Sequence, residues 1–151
     1  MALNRPYLKE YDSCGQFEYH GSGKGITRNA ELLLQKGTKS EFLHAGSITT
    51  REVFDAYTKK DPLAVEVLDQ AIEYWGMAVA NLVSLLNPEK IIFGGGVFGP
   101  AIQFLDRIFD EACNWAQPIS IQQVKLEASA LQGDTGLYGA GYMAIRNELL
   151  L

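Results

Sequence analysis

The sequence predicts an α/β fold with parallel strands and long helices, because two units of strand, glycine turn and helix follow one another. In the first unit, the β-branched and aromatic residues 90–93 stop at the glycines 94–96, and an amphipathic stretch follows. In the second unit, residues 123–128 alternate apolar and polar side chains and lead through a turn at 133–136 into a helix ending near Leu149. A strand, a helix and a further strand in succession predict that the two strands are parallel.

The size and composition of the chain predict one domain, and the number of its strands predicts an incomplete sheet. Its 151 residues are 47% apolar and 21% charged, which is the composition of an ordinary globular domain. Only two strands can be counted in the sequence, whereas a stable sheet usually has three or more. We therefore expect that part of the sheet is missing from this chain.

The first predicted elements are a loop and two helices. Residues 1–21 mix proline, glycine and serine with scattered aromatic residues and show no periodicity, so a loop is expected there. From Ser22 onward, apolar residues recur at helical spacing as far as a glycine stop at Gly37. The hydroxyl groups of residues 49–50 can cap a short amphipathic helix that carries Val53.

The longest predicted helix starts at Asp61 and Pro62 and runs to Leu86. Asp61 can cap exposed N–H groups, and the proline fits the first helical turn. Residues 87–88, an asparagine and a proline, end the helix, which at 1.5 Å per residue is roughly 40 Å long. A further amphipathic stretch, 100–115, follows the first glycine turn.

Charge and cysteine content argue against several classes of protein. The formal net charge is −5 and neither end carries a run of lysine or arginine, so no nucleic-acid partner is expected. Cys14 and Cys113 lie far apart and predict no disulfide framework, which favours the cytoplasm. The start of the chain lacks the apolar region of a signal peptide. The apolar run 75–86 is shorter than the roughly 18 residues that cross a bilayer, so no membrane partner is expected.

The segment from Gly94 to Val97 is the strongest ligand candidate. Consecutive glycines just past a strand let a ligand approach the backbone closely, and α/β folds bind ligands at the carboxyl ends of their strands. The alternative is a tight turn that needs a positive φ, and the glycines alone favour neither interpretation. The second turn, 133–136, leads into a helix start rich in small residues, where a flat ring or another backbone can pack closely.

Three further motifs near the start of the chain are weaker. Residues 21–25 resemble a phosphate loop, but that motif needs glycine at position 18 and serine or threonine at position 25, so we reject it. Cys14 and His20 could bind zinc, yet a structural zinc site needs four ligands, which leaves Cys14 a weak candidate. Glu18 lies beside a glycine and serine turn and could accept hydrogen bonds from ligand hydroxyl groups, or be simply solvated.

Two clusters of residues together resemble a known family. Residues 87–97, preceded by the end of the long helix, resemble the segment of the ROK family (Repressor, ORF, Kinase) that forms the glycine loop on the adenosine side. Residues 131–140 are similar to the closing segment of that family, in which a helix start with glycine and alanine flanks the nucleotide. Glu18, followed by Ser22 and Gly23, resembles the end of the family's cysteine motif, whose glutamate contacts a sugar hydroxyl.

The resemblance implies a fold and a set of site residues. It implies that 1–151 is the C-terminal nucleotide-binding portion of a ROK protein, a partial actin-like, ribonuclease H-like ATPase lobe without its N-terminal lobe. It implies ATP with Mg²⁺ and a sugar as ligands, with Glu18 on the sugar. The family motif supplies three zinc-binding cysteines, whereas Cys14 alone is kept here, which leaves zinc in doubt. The residues implied to lie at the nucleotide are Gly94, Gly95, Gly96, Val97, Gly136 and Ala140.

Other family motifs are absent, and their absence shapes the expected function. The chain has no Asp-x-Gly-Gly-Thr phosphate loop, no Glu-x-Gly-His motif and no Asn-Asp pair with the aspartate that acts as base. No catalytic residue is therefore expected in this chain, and the general base is expected in the missing half. The expected function is the C-terminal part of an ATP-dependent hexose or N-acylhexosamine kinase that is not competent alone.

Two alternatives remain open at this point. One is the sugar-sensing part of a ROK transcriptional regulator without its DNA-binding domain, and the other is a non-catalytic remnant that oligomerises. The resemblance also implies that the missing half completes the sheet, so an unpaired strand edge or an apolar patch is expected to be exposed. The chain is then expected to pair with a missing N-terminal half or to form a homo-oligomer.

Overall fold

The computed structural model describes residues 6–148, which form a two-stranded sheet packed against a layer of helices. Three short 3-10 turns, at 9–13, 100–104 and 132–134, connect the elements. The elements in chain order are α1 (Gly15–Gly21), α2 (Gly23–Gln35), α3 (Thr50–Thr58), α4 (Pro62–Leu86), β1 (Lys90–Phe93), α5 (Leu105–Cys113), α6 (Pro118–Ile121), β2 (Lys125–Ala128) and α7 (Thr135–Glu148).

The predicted loop over 1–21 is wrong for residues 9–21, which are helical. The cause is a tertiary contact that the local composition does not reveal. The indole Nε1 of Trp75 donates a buried hydrogen bond of 2.9 Å to the carbonyl of Gly21, the last residue of α1. A Cβ atom on Gly21 would lie 3.1 Å from that nitrogen, so the absence of a side chain lets the helix end pack against α4. Residues 1–5 of the predicted loop lie outside the described part.

Helix α4 is the central element of the core, and its predicted ends are confirmed. Asp61 caps it by accepting hydrogen bonds of 3.1 Å from the N–H groups of Leu63 and Ala64, and Pro62 begins the helix. Asn87 adopts the left-handed conformation at the far end, with φ of 45°. The buried residues of α4 include Leu63, Ala64, Val67, Leu68, Ala71, Ile72, Trp75, Met77, Val79, Ala80 and Val83.

The two strands pair in parallel, as predicted. Their register runs from Lys90 opposite Lys125 to Phe93 opposite Ala128. Ile91 and Phe93 pack against the helical core, whereas Ile92 between them is 63% exposed. One face of the sheet is therefore covered and the other is open, within the described part of the chain.

The stretch predicted as one helix over 100–115 is a 3-10 turn followed by α5. Helix α5 crosses α4 at Gly76, where a Cβ atom would lie 2.5 Å from the Cγ atom of Glu111 and 3.1 Å from the amide nitrogen of Ala112. The glycine thus allows the two helices to approach closely. Helix α6, which follows α5, was not predicted from the sequence because it is a single turn that starts at Pro118.

The last helix exposes an apolar surface. In α7, Leu137 is 74% exposed, and Tyr138, Tyr142 and Ile145 are also more than half exposed. Ile92 on the open face of the sheet is exposed as well. That these side chains form the apolar patch expected for a partial sheet stays a prediction. No helix among residues 6–148 is long and apolar enough to span a membrane.

Candidate functional site

A cleft of about 480 Å³ opens at the carboxyl ends of the two strands. Its position is the one at which α/β folds bind ligands. Three of the predicted residues, Gly94, Gly95 and Gly96, line it. The other lining residues are Phe93, Phe98, Gly99, Ile102, Ala128, Ser129 and Gly133. We call this space the glycine cleft.

The glycines of the cleft are required for two different physical reasons. Gly95 has a φ of +86°, a conformation that side chains disfavour. A Cβ atom on Gly94 would lie 3.2 Å from the Oγ1 atom of Thr135 and 3.3 Å from the Cβ atom of Ser129. At Gly96 an added Cβ would meet nothing within 4 Å, so its backbone faces open space. The tight turn is confirmed at Gly95, and the ligand site that the sequence offered as its alternative stays a prediction, for which Gly96 leaves the backbone accessible.

The start of α7 lies beside the first of these glycines. The hydroxyl groups of Ser129 and Thr135 are 2.9 Å apart and hydrogen-bonded, and the N–H of Ser129 donates a bond of 2.7 Å to the carbonyl of Phe93. These contacts hold the loop after β2 against the loop after β1. Both hydroxyl groups were missed by the sequence analysis, although Thr135 lies within the predicted turn 133–136.

Three predicted nucleotide residues lie outside the lining of the cleft. Gly136 and Ala140 are exposed on α7, and nothing lies within 4 Å of a Cβ atom built on Gly136. Val97 is half-buried, and its Cγ2 atom would lie 3.6 Å from a Cβ atom on Gly23. The same position on Gly23 is 3.0 Å from the Oγ1 atom of Thr50. Val97 thus packs against the starts of α2 and α3 and joins the glycine loop to them.

Glu18, the predicted sugar contact, lies on α1 and is exposed. The helix ends at Gly21, and the N–H of the next residue, Ser22, donates to the carbonyl of Glu18 at 3.2 Å. The hydroxyl of Ser22 in turn accepts a hydrogen bond of 3.1 Å from the N–H of Gly25 and caps α2. The carboxylate is therefore presented to solvent from a helix whose position is fixed by the Trp75 contact.

The described residues do not fit a zinc centre. Cys14 is half-buried, and both cysteines are free. The ring of His20 stacks on Tyr74 at 4.2 Å, and its Nε2 atom is 2.9 Å from the hydroxyl of Tyr11. Between residues 6 and 148, no three His, Cys, Asp or Glu side chains are grouped so that they could hold a metal ion.

A larger cavity, of about 760 Å³, lies away from the strand ends, between the loop 38–45 and residues 59–62. None of the predicted site residues lines it. Its one buried carboxylate, Asp61, is 2% exposed and fully engaged. It accepts hydrogen bonds from the Ser40 hydroxyl at 2.8 Å and the Glu41 N–H at 3.1 Å, besides capping α4. The carboxylate therefore has a structural role.

Comparisons with known proteins agree on one family. A sequence model of the ROK family matches residues 12–147. The glucokinase of Halalkalibacterium halodurans is 34% identical over 143 residues, which are 90% of this chain and 43% of that protein. The DNA-binding transcriptional repressor Mlc of Escherichia coli is 27% identical over 139 residues, which are 91% of this chain and 34% of that protein.

A solved structure supports the same fold. The ROK family glucokinase of Streptomyces griseus, in complex with glucose and AMPPNP, matches with a TM-score of 0.71 and 27% identity. The match covers 86% of this chain and 45% of that one. It confirms the predicted fold, a portion of an actin-like ATPase lobe. The chain spans less than half the length of each of these relatives.

Proposed function

The chain belongs to the ROK family, and from this premise we propose that it is the nucleotide-binding portion of an ATP-dependent kinase of a hexose or N-acylhexosamine. The observation that carries the proposal is the glycine cleft at the carboxyl ends of two parallel strands. There the open backbone of Gly96 offers a close approach to a ligand, and the hydroxyl groups of Ser129 and Thr135 lie beside Gly94. The relatives described as glucokinases support a nucleotide as that ligand.

The chain contributes binding and orientation to the proposed reaction. Phosphoryl transfer to a sugar hydroxyl needs a proton acceptor and donors around the transferred phosphate. We assign to the glycine cleft the binding of ATP, to Gly136 and Ala140 a flank beside it, and to Glu18 a hydrogen bond from a sugar hydroxyl. Mg²⁺ would arrive with the ATP phosphates and neutralise part of their charge. We assign the general base to the part of the kinase relatives that this chain does not span.

The exposed apolar side chains support pairing with a lobe that corresponds to that part. Ile92 on the open face of the sheet and Leu137 on α7 are 63% and 74% exposed, and burying such side chains is favourable. An N-terminal lobe that adds strands to β1 or β2 would cover them, and in its absence a second copy would. The two free cysteines, Cys14 and Cys113, suit the reducing conditions of the cytoplasm, where we place the protein.

A second candidate function is the sugar-sensing part of a transcriptional regulator. The similarity to the repressor Mlc over 91% of this chain favours it. A regulator of this kind would bind sugar without needing the nucleotide. ATP binding therefore separates the two candidates.

The decisive experiment is calorimetric titration of the purified chain with ATP and ADP. Gly96→Val places a side chain at the cleft without a clash at its Cβ and without a positive φ, so the variant should fold and lose nucleotide binding. Binding by the native chain that disappears in this variant supports the proposal. A folded native chain that binds neither nucleotide refutes it and favours the regulator.

A further inference from the structure

The larger cavity, beside the start of α4, has positively charged walls. Its volume of about 760 Å³ is that of a small-molecule site, and it shares no lining residue with the glycine cleft. Three lysines line it, Lys39 from the loop 38–45 and Lys59 and Lys60 from the turn between α3 and α4. The chain as a whole has a formal net charge of −5, so this group of lysines departs from the general charge of the molecule.

The walls of the cavity are held together by Asp61. Its carboxylate accepts hydrogen bonds from the Ser40 hydroxyl at 2.8 Å and the Glu41 N–H at 3.1 Å, and it also caps α4. The Ser40 hydroxyl oxygen accepts a further bond of 2.8 Å from the N–H of Leu43, which closes the loop into a turn. Leu43 is 2% exposed, so the turn is anchored in the core. The backbone that carries the lysines is therefore fixed before a ligand binds.

Lys60 has a backbone conformation that a lysine disfavours. Helix α3 ends in a Schellman motif, in which the N–H of Asp61 donates to the carbonyl of Ala56. The N–H of Lys60 donates to the carbonyl of Tyr57, and its φ is 61°, at a position where glycine is the usual residue. Asn87, the other non-glycine residue with a positive φ between residues 6 and 148, is of a type that tolerates this conformation. A strained lysine where glycine would be unstrained points to a function of its side chain.

The ammonium groups of the three lysines are available to a ligand. All three side chains are exposed, and within residues 6–148 none of them makes a hydrogen bond or an ion pair. The ammonium group of Lys59 lies 4.4 Å from the centroid of the Phe42 ring, which also lines the cavity. Glu41 adds an exposed carboxylate to the lining. The cavity thus combines three cations with one exposed carboxylate and one aromatic face.

We propose that this cavity binds a small phosphate monoester that carries hydroxyl groups, such as a hexose phosphate, at a site separate from the glycine cleft. A phosphate monoester has a charge of about −1.5 to −2 at neutral pH, and lysine ammonium groups bind phosphate as point charges. A carboxylate repels phosphate but accepts hydrogen bonds from hydroxyl groups, which assigns Glu41 to the body of the ligand. The exposed face of Phe42 can pack against the carbon atoms of that body. The inference does not depend on nucleotide binding.

The test is calorimetric titration of the full chain with glucose 6-phosphate, glucose and inorganic phosphate. Glucose 6-phosphate should bind about tenfold or more tightly than either of the others, because it alone uses both the cations and the carboxylate. Glu41→Gln should narrow the preference for glucose 6-phosphate over inorganic phosphate by about threefold or more. The reason is that free phosphate loses a repulsion while the sugar hydroxyl groups lose a charged acceptor.

Two lysine variants test the cations without unfolding the chain. Lys60→Gly should weaken the binding of glucose 6-phosphate about five- to tenfold. It should retain the native melting temperature, because relief of the strain offsets the greater freedom of glycine in the unfolded chain. Lys39→Gln should weaken binding by a similar factor. Lys36→Gln is the matched control, since it removes an exposed lysine outside the lining and should leave the affinity unchanged.

The outcomes separate this inference from the proposed function. If Glu18→Gln or Gly96→Val abolishes the binding of glucose 6-phosphate while Lys60→Gly and Lys39→Gln do not weaken it, the ligand lies at the proposed kinase site and the inference is overturned. Equal affinities for glucose 6-phosphate and inorganic phosphate would show an adventitious ion only and overturn it too. An equal loss in Lys36→Gln would mean that a general positive field, not the cavity, attracts the ligand. Failure of a folded native chain to bind glucose 6-phosphate would refute the inference and leave ATP binding at the glycine cleft untouched.

Discussion

The hydroxyl group of Thr50 donates a hydrogen bond of 3.0 Å to the backbone carbonyl of Gly23. This bond joins the starts of α2 and α3, and Val97 of the glycine loop packs at the same point. Helix α2 directly follows α1, which carries Glu18. The proposed sugar contact and the proposed nucleotide loop are therefore connected through one small junction.

Removing this hydrogen bond should weaken the junction. Thr50→Val keeps the shape of the side chain but leaves the Gly23 carbonyl without its donor, so unfolding in urea should show a loss of about 0.5–1.5 kcal/mol. Thr50→Ser keeps the hydroxyl and should retain most of the stability. Equal losses in both variants would show that the methyl group, not the hydrogen bond, stabilises the junction.

Substitutions at two glycines with positive φ should have similar effects on stability and different effects on ATP binding. Gly95 and Gly37 have φ of +86° and +94°, and both face open space. Valine at either position should cost about 1–2 kcal/mol through backbone strain, measured by thermal unfolding. Only Gly95→Val should abolish ATP binding, measured by calorimetry. Loss of binding in Gly37→Val as well would mean that strain, rather than the site, explains the effect.

The crossing of α4 and α5 should not tolerate a methyl group at Gly76. In Gly76→Ala, the new Cβ would lie 2.5 Å from the Glu111 Cγ atom, so the helices must separate. We expect a loss of about 1–3 kcal/mol in urea unfolding. Gly139→Ala in α7 is the matched control, because nothing surrounds it and alanine favours a helix. Equal stability of the two variants would contradict this packing.

The buried carboxylate of Asp61 should be among the most sensitive positions in the chain. Asp61→Ala removes the cap of α4 and the partner of the Ser40 hydroxyl and the Glu41 N–H. Each buried donor left without a partner costs about 1–3 kcal/mol, so the variant should unfold at a much lower urea concentration. Ser40→Ala removes a single contact and should cost less. A larger effect for Ser40→Ala would contradict the central role of the carboxylate.

The capping box of α3 should make the free energy of unfolding depend on pH. The Thr49 backbone N–H and hydroxyl both donate to Glu52 and lower the pKa of its carboxyl. The pKa of Glu52 is therefore lower in the folded chain than in the unfolded one. The stabilisation by this carboxylate is fully present above the unfolded pKa and is lost as the pH falls through the folded pKa. Glu52→Gln should therefore lose less stability than the native chain on acidification. Thr49→Ala removes one of the two donors and should reduce the acid dependence by a smaller amount. An unchanged acid dependence in Glu52→Gln would contradict this account.

Local signals predicted much of the fold. The cap at Asp61 and the stop at Asn87 gave the ends of α4, and the β-branched run before Gly94 gave β1. The helix α1 was missed because its glycines and polar residues favour a loop, and its stabilising partner, Trp75, lies far along the chain. Contacts between distant segments leave no periodic pattern within either segment.

The candidate site also contains residues that the sequence could predict and residues that it could not. Gly94, Gly95 and Gly96 could be found from the sequence, because a glycine run after a strand has a local signature. The hydrogen bond between the hydroxyl groups of Ser129 and Thr135 could not, since no local pattern places the two side chains together. Their place beside the loop depends on how helices and strands pack.

The sequence by itself determined the class of the fold, the ends of its central helix and the glycine loop, because caps, turns and strand composition act over a few neighbouring residues. Only the tertiary structure decided that Gly21 ends a helix on Trp75 and that Val97 packs inward while Gly96 stays open. It also decided that one wall of the space beside Gly96 comes from α3. Those features depend on distances between segments remote along the chain, which are fixed when the core around α4 packs.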